Sequence, residues 1–105
     1  MKVVFLRSFI NDIQKITDKK LKAKIKEFII ELENAEKLEE LTNVIKMKSF
    51  STAYRCRIGD CRLGFYKDDD QVELSRFVKS NDIYKVFPEN WYFPKLILSK
   101  LFSRK

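Results

Sequence analysis

The segment Tyr54-Arg55-Cys56-Arg57-Ile58-Gly59-Asp60-Cys61-Arg62-Leu63 concentrates the side chains best suited to chemistry on an anion. Arginine offers a planar fork of donors that matches phosphate oxygens, and it stays charged at any physiological pH. If Gly59-Asp60 is a two-residue hairpin loop, strand alternation sets Ile58 opposite Cys61, Arg57 opposite Arg62, and Arg55 opposite Gly64. Cys56, Ile58, Cys61, Leu63 and Phe65 then point to a core, while Arg55, Arg57 and Arg62 share the other face. Like charges directly opposite in a ladder are destabilising, a cost that a bound polyanion would offset. The plainer alternative is an exposed face charged for solubility.

The chain has no histidine, which removes the commonest proton-transfer group near neutral pH. Acid–base chemistry therefore falls to Lys, Tyr, Arg or a carboxylate. Cys56 and Cys61 are its two cysteines, and with no other soft ligands they make neither a zinc site nor a disulfide framework. No metal and no cofactor are expected, and both thiols are expected to be reduced.

Charge singles out the same region. Residues 1–45 hold nine Lys/Arg against eight Asp/Glu, a net of +1, whereas residues 46–105 hold thirteen against seven, a net of +6. A polyanion-binding surface, most simply one for RNA, belongs to the second part. With 45% hydrophobic residues and only two Gly and two Pro, the chain is too apolar for disorder, and 105 residues make one domain. The apolar run at Val3-Val4-Phe5-Leu6 is far too short for a signal peptide or a membrane span, so a cytoplasmic protein is expected.

The elements that must position the arginines follow from periodicity. Residues 2–7 read as a strand, with Ser8 as the cap of a first helix carrying Phe9, Ile10, Ile13 and Ile16. Thr17-Asp18 cap a second helix, to about residue 35, whose stripe is Leu21, Ile25, Phe28, Ile29 and Leu32. Its other face carries Lys19, Lys20, Lys22, Lys24 and Lys26 near the positive end of the helix dipole, so local stability did not choose that order. Residues 36–51 form a loop or partly helical connection anchored by Leu38, Leu41, Val44 and Ile45.

From Ser51 the period becomes two, giving two hairpins and a three-stranded meander. With Asp69-Asp70 as the second loop, Arg62 faces Phe77, and Gly64, Tyr66, Ser75 and Lys79 join the arginine face; a slip of one residue reverses this. Cations then lie beside aromatic rings, the pattern that clamps phosphates while stacking bases. Residues 82–87 read as a helical turn closed by Pro88, and Lys95 to Phe102 as a short amphipathic helix. The expected fold is α+β: an N-terminal strand, a two-helix hairpin, an antiparallel three-stranded meander and a short C-terminal helix. Residues 1–87 form the main domain, and residues 88–105 a tail docked on it.

The run Ile45-Lys46-Met47-Lys48, the arginine segment, Arg76-Phe77-Val78 and Asp82-Ile83-Tyr84 together resemble the RelE/ParE toxin superfamily over residues 1–87. The resemblance implies the toxin half of a toxin–antitoxin pair with a cognate antitoxin as partner. For RelE-like members it implies an mRNA interferase, an endoribonuclease acting with the ribosome on mRNA by attack of the ribose 2′-hydroxyl. It assigns Arg55, Arg57, Arg62 and Tyr84 to catalysis and Lys46 and Lys48 to holding RNA backbone; the candidate set adds Lys79 to catalysis and Tyr54 and Tyr66 to RNA binding. Where close relatives read histidine-arginine-lysine-aspartate, this chain reads Lys79-Ser80-Asn81-Asp82, so Ser80 replaces an expected catalytic arginine and Lys79 is the nearest substitute. Two other readings stay open: a ParE-like inhibitor of DNA gyrase without chemistry of its own, and a degenerate member that only binds antitoxin. No membrane and no metal partner is implied.

Overall fold

A computed structural model describes residues 1–48 and 50–88. Strand β1 (Lys2–Phe5) runs through Leu6 into helix α1 (Arg7–Gln14), followed by α2 (Lys19–Asn34) and a 3-10 turn at Leu38–Glu40. Strands β2 (Val44–Lys46), β3 (Ala53–Ile58), β4 (Cys61–Asp68) and β5 (Gln71–Lys79) follow, and a single helical turn, α3 (Ile83–Val86), ends the described chain. The strands form one sheet in the order β1-β5-β4-β3-β2.

The α+β class and the two hairpins agree with the sequence reading, but the sheet is larger than a three-stranded meander. Strand β1 pairs in parallel with β5, and β2 adds an antiparallel edge beyond β3. That β1–β5 pair is non-local, and no local pattern of alternation encodes it.

Helix α2 starts where its sequence says it should. The Asp18 carboxylate accepts from the amides of Lys20 and Leu21, closing two of the open donors of the first turn. Its apolar stripe buries Ile25, Phe28 and Leu32 against Leu63, Phe65, Val72 and Leu74, the main core between the helices and one face of the sheet. Helix α1 departs from expectation, because it begins at Arg7 with Leu6 as an N-cap that makes no side-chain bond. Ser8 Oγ instead donates to the Ser75 carbonyl oxygen at 2.6 Å.

That bond marks the feature that resets the register. Gly64 pairs with Arg76 but Phe65 with Leu74, so Ser75 is an extra residue bulged into β5. The loop is Asp69-Asp70 as expected, since Asp68 pairs with Gln71. Beyond the bulge, however, Arg62 faces Val78 rather than Phe77, and Lys79 pairs with Cys61. The physical gain is apolar: the bulge lets Val72, Leu74 and Phe77 all enter the main core, which strict alternation forbids for positions 74 and 77. Ser75 is consequently buried and does not join the arginine face.

A helix face beside the short strand β1 leaves part of β5 without a strand neighbour. Asp12 fills that place: its carboxylate accepts from Arg76 Nε at 2.7 Å, from Arg76 Nη2 at 3.2 Å and from the Phe77 amide at 2.9 Å. The carboxylate is buried, so this three-bond arrangement locks α1 to the bulged strand. In the connection before β3, Leu38 enters the core and Val44 and Leu41 pack on it, whereas Ile45 stands 53% exposed.

The second face of the sheet carries apolar packing of its own. A smaller cluster of Met47, Ala53, Tyr66, Ile83 and Phe87 covers part of it, with α3 as its lid. Among the described residues no helix is long and apolar enough to cross a membrane. The expected helix at 95–102, and the tail except for Pro88, lie outside the described residues.

Candidate functional site

The β3–β4 hairpin turns as its residues require. Gly59 has φ +60 at the first loop position, where a side chain is disfavoured, and Gly at that position is the mark of a II′ turn. Its flanks register Ile58 with Cys61, Arg57 with Arg62 and Arg55 with Gly64. The three arginines therefore stand on one face, the one opposite α2, as the sequence reading requires.

They do not form one cluster. Residues two apart on a strand are separated by about 7 Å, so Arg55 lies one step further from the turn than Arg57. Arg62 Nη1 donates to the carbonyl oxygens of Cys61 (2.9 Å) and Gly59 (3.4 Å), which folds its side chain towards the turn. Arg57 is exposed opposite it. Arg55 instead places its guanidinium carbon 5.4 Å from the centre of the Tyr84 ring, within the range of a cation–π contact.

The Arg55–Tyr84 pair forms one wall of a cleft of about 540 Å³ that also takes in Lys46, Lys48, Phe50 and Phe87. Tyr84 is 63% exposed, so one side of its ring is open to a flat partner. Three cations and an accessible ring thus share one depression, and this is the arrangement that grips a phosphate while stacking a base.

Two aromatic residues expected here are elsewhere. Tyr66 is only 5% exposed and tilts against Phe87 at 4.9 Å between ring centres. It is on the expected face, but α3 and Phe87 cover it, because burying that ring and Phe87 together is worth more than leaving both in water. Tyr54 points to the helical side and stacks on Phe65 at 5.7 Å and 13°, since it alternates with Arg55. Lys79 is displaced by the Ser75 bulge: it pairs with Cys61, whose side chain belongs to the helical side, and so leaves the arginine face. Ser80 donates its amide to the Asp60 carbonyl at 3.0 Å, bracing the hairpin turn.

Phe50 and Phe87 are the site-forming residues that the sequence reading missed. Gly64 carried a signal, because glycine inside a strand marks a bulge or a close approach, and here Phe87 lies directly on its backbone. Both cysteines are free. Burial, helped by Glu31, pushes the Cys56 thiol from 9.0 up to about 12, and burial also raises that of Cys61, with Asp60 adding to it. Neither has the depressed thiol pKa of a nucleophile. Among the described residues no group of three metal-ligating side chains occurs.

Fold and site together define a small α+β domain with a cationic, aromatic-walled cleft on the face of its sheet opposite α2. The chain matches the family model described as the ParE toxin of type II toxin–antitoxin systems over residues 3–84. It is 30% identical over 89 residues to toxin RelE3 of Methanocaldococcus jannaschii, covering 84% of this chain and 100% of that relative. It is similar to the RelB–RelE antitoxin–toxin complex from Methanococcus jannaschii, with 26% identity and a TM-score of 0.69 over 81% of this chain and 99% of that one. The archaeal RelE–RelB complex from Pyrococcus horikoshii OT3 shares the fold, with 22% identity and a TM-score of 0.62 over 74% of this chain and 92% of that one. This chain belongs to the RelE/ParE family of toxins of toxin–antitoxin systems.

Proposed function

We propose that this toxin is a ribosome-dependent mRNA endoribonuclease, with the cleft at Arg55 and Tyr84 as its reaction site. The observation that carries the reading is the Arg55 guanidinium over the exposed Tyr84 ring, with Lys46 and Lys48 on the same cleft. In the reaction the 2′-oxygen of a ribose attacks the adjacent phosphorus, a bond from O2′ to phosphorus forms, and the bond to O5′ breaks. The 2′-proton passes to a base, O5′ receives a proton, and the products are a 2′,3′-cyclic phosphate and a 5′-hydroxyl.

Arg55 stabilises the charge that accumulates on the phosphate oxygens, and Tyr84 stacks on a base next to the scissile bond. Without histidine, and with Lys79 on the other side of the sheet, the proton-transfer groups at the cleft are Lys46, Lys48 and Tyr84. Arg57 and Arg62, one strand step away, hold the neighbouring backbone. The cognate antitoxin is a partner whose acidic segment neutralises and covers this face; both archaeal relatives are seen in complexes of RelE with RelB.

A second reading has its own support. The matching family model is that of ParE toxins, and Ser80 stands where an arginine is expected, which favours binding to DNA gyrase without chemistry. Inducing the chain in cells and mapping mRNA 5′ ends separates the two. Codon-phased cuts that Arg55→Ala abolishes support the nuclease; intact messages with altered DNA supercoiling support the gyrase inhibitor.

A further inference from the structure

The connection between β2 and β3 carries a ring that the proposed reaction does not use. At its near end Met47 turns inward, and its amide donates to the Ala53 carbonyl at 2.8 Å. At its far end the Lys67 amide donates to the Thr52 carbonyl at 2.8 Å, tying the connection to β4. Phe50 sits between these two anchors. It packs on the cluster of Met47, Tyr66 and Phe87 but is only half-buried, so part of its surface is left to solvent.

Two depressions meet at this residue. Phe50 stands in the wall of the Arg55–Tyr84 cleft, and a second depression, of about 430 Å³, is lined by Lys46, Lys48, Phe50 and Ser51. Tyr84 belongs to the first alone, whereas Phe50, Lys46 and Lys48 line both. The order across the surface is therefore one ring, then a ridge of two cations and a second ring, then a further space.

Single-stranded RNA has the matching composition. Each nucleotide brings one flat base and one phosphate, so a strand crossing two adjoining spaces leaves a base in each and a phosphate over the ridge that divides them. Lysine suits such a ridge, because it meets a phosphate as a point charge and needs no fixed approach. Ser51 adds a hydroxyl to the second space, able to donate or accept at a base edge or a ribose.

We infer that the depression beyond Phe50 is a second nucleotide subsite, in which Phe50 stacks the base next to the one on Tyr84 and Lys48 holds the phosphate between them. The inference rests on the proposal that RNA occupies the Arg55–Tyr84 cleft, and it sets the grip of the toxin at two successive nucleotides.

Labelled 2′-deoxy strands of one length, abasic except for one base or for two adjacent bases, measure that grip on the full chain by fluorescence anisotropy. In the parent protein the second base should tighten binding about tenfold, the usual worth of one stacked base. Phe50→Leu keeps apolar packing but removes the ring, so it should cancel the gain from the second base and leave the one-base strand bound as before. Phe50→Trp should retain the gain, and Tyr84→Ala should weaken the one-base strand itself. A second base that adds nothing in the parent, or a gain that survives in Phe50→Leu, overturns the second subsite while the Tyr84 cleft stands. If Tyr84→Ala alters the binding of no strand, nucleic acid does not occupy the cleft, and the nuclease reading falls together with the subsite.

Discussion

The ring of Phe87 lies on the backbone of Gly64: a Cβ at position 64 would come to 2.5 Å from Phe87 Cγ and 2.8 Å from Cε2. No side chain fits there without moving the ring, and the ring is what seats α3, and with it Tyr84, over Arg55. Gly64→Ala should therefore destabilise the protein by about 1–3 kcal/mol, the usual cost of overpacking. It should also separate Tyr84 from Arg55 while the main core of Leu63 and Phe65 stays folded. Thermal denaturation reads the first effect, and the chemical shifts of the Tyr84 ring read the second.

Asp12 joins Arg76 and the Phe77 amide across the edge of β5. Asp12→Ala removes three acceptor contacts and leaves a guanidinium without its carboxylate, so a loss of about 3–5 kcal/mol is expected in urea denaturation. Part of that cost is the charge pairing that the Arg76 guanidinium loses. Asp12→Ala combined with Arg76→Met should accordingly be less destabilised than Asp12→Ala alone.

On the proposed reading, each cation that touches phosphate steepens the salt dependence of RNA binding. Arg55→Ala and Lys48→Ala should each lower the slope of log K against log salt by about one. Lys79→Ala should leave both slope and affinity close to the parent values, because the bulge turns that residue to the side of Cys61. Fluorescence anisotropy of a labelled 2′-deoxy oligonucleotide, which cannot be cleaved, makes the measurement. A large effect of Lys79→Ala would mean that the nucleic acid wraps around the sheet edge.

Cys56 sits in the main core with its thiol pushed up to about 12. In the unfolded chain it ionises near 9, so between these values the unfolded state holds fewer protons than the native one, and stability falls as pH rises through that window. Below pH 9 the contribution is complete. Cys56→Ser, which lacks this titration, should show a shallower loss of stability between pH 9 and 11, and Cys56 should resist iodoacetamide at pH 8 until urea unfolds the protein.

The elements that local chemistry governs could be read without coordinates. Helix α2 follows from the Asp18 cap and a clean apolar stripe. The Arg57–Arg62 pairing follows from Gly59-Asp60, because a two-residue turn leaves only one register and side chains alternate strictly along each strand. What escaped was set by contacts between residues far apart in the chain. The bulge at Ser75 exists because Phe77 gains the core and Ser8 and Asp12 hold the distorted strand, and it moved Lys79 off the face that alternation gave it. The parallel pairing of β1 with β5 joins the two ends of the described fold. Tyr66 alternates onto the arginine face as expected, yet Phe87, twenty-one residues later in the chain, covers it. The same packing leaves Tyr84 exposed over Arg55. Sequence by itself determined that Arg55, Arg57 and Arg62 share one side of the sheet. Tertiary packing decided which of them meets an aromatic ring, since that depends on where a distant ring finds room, and the room was made by a glycine.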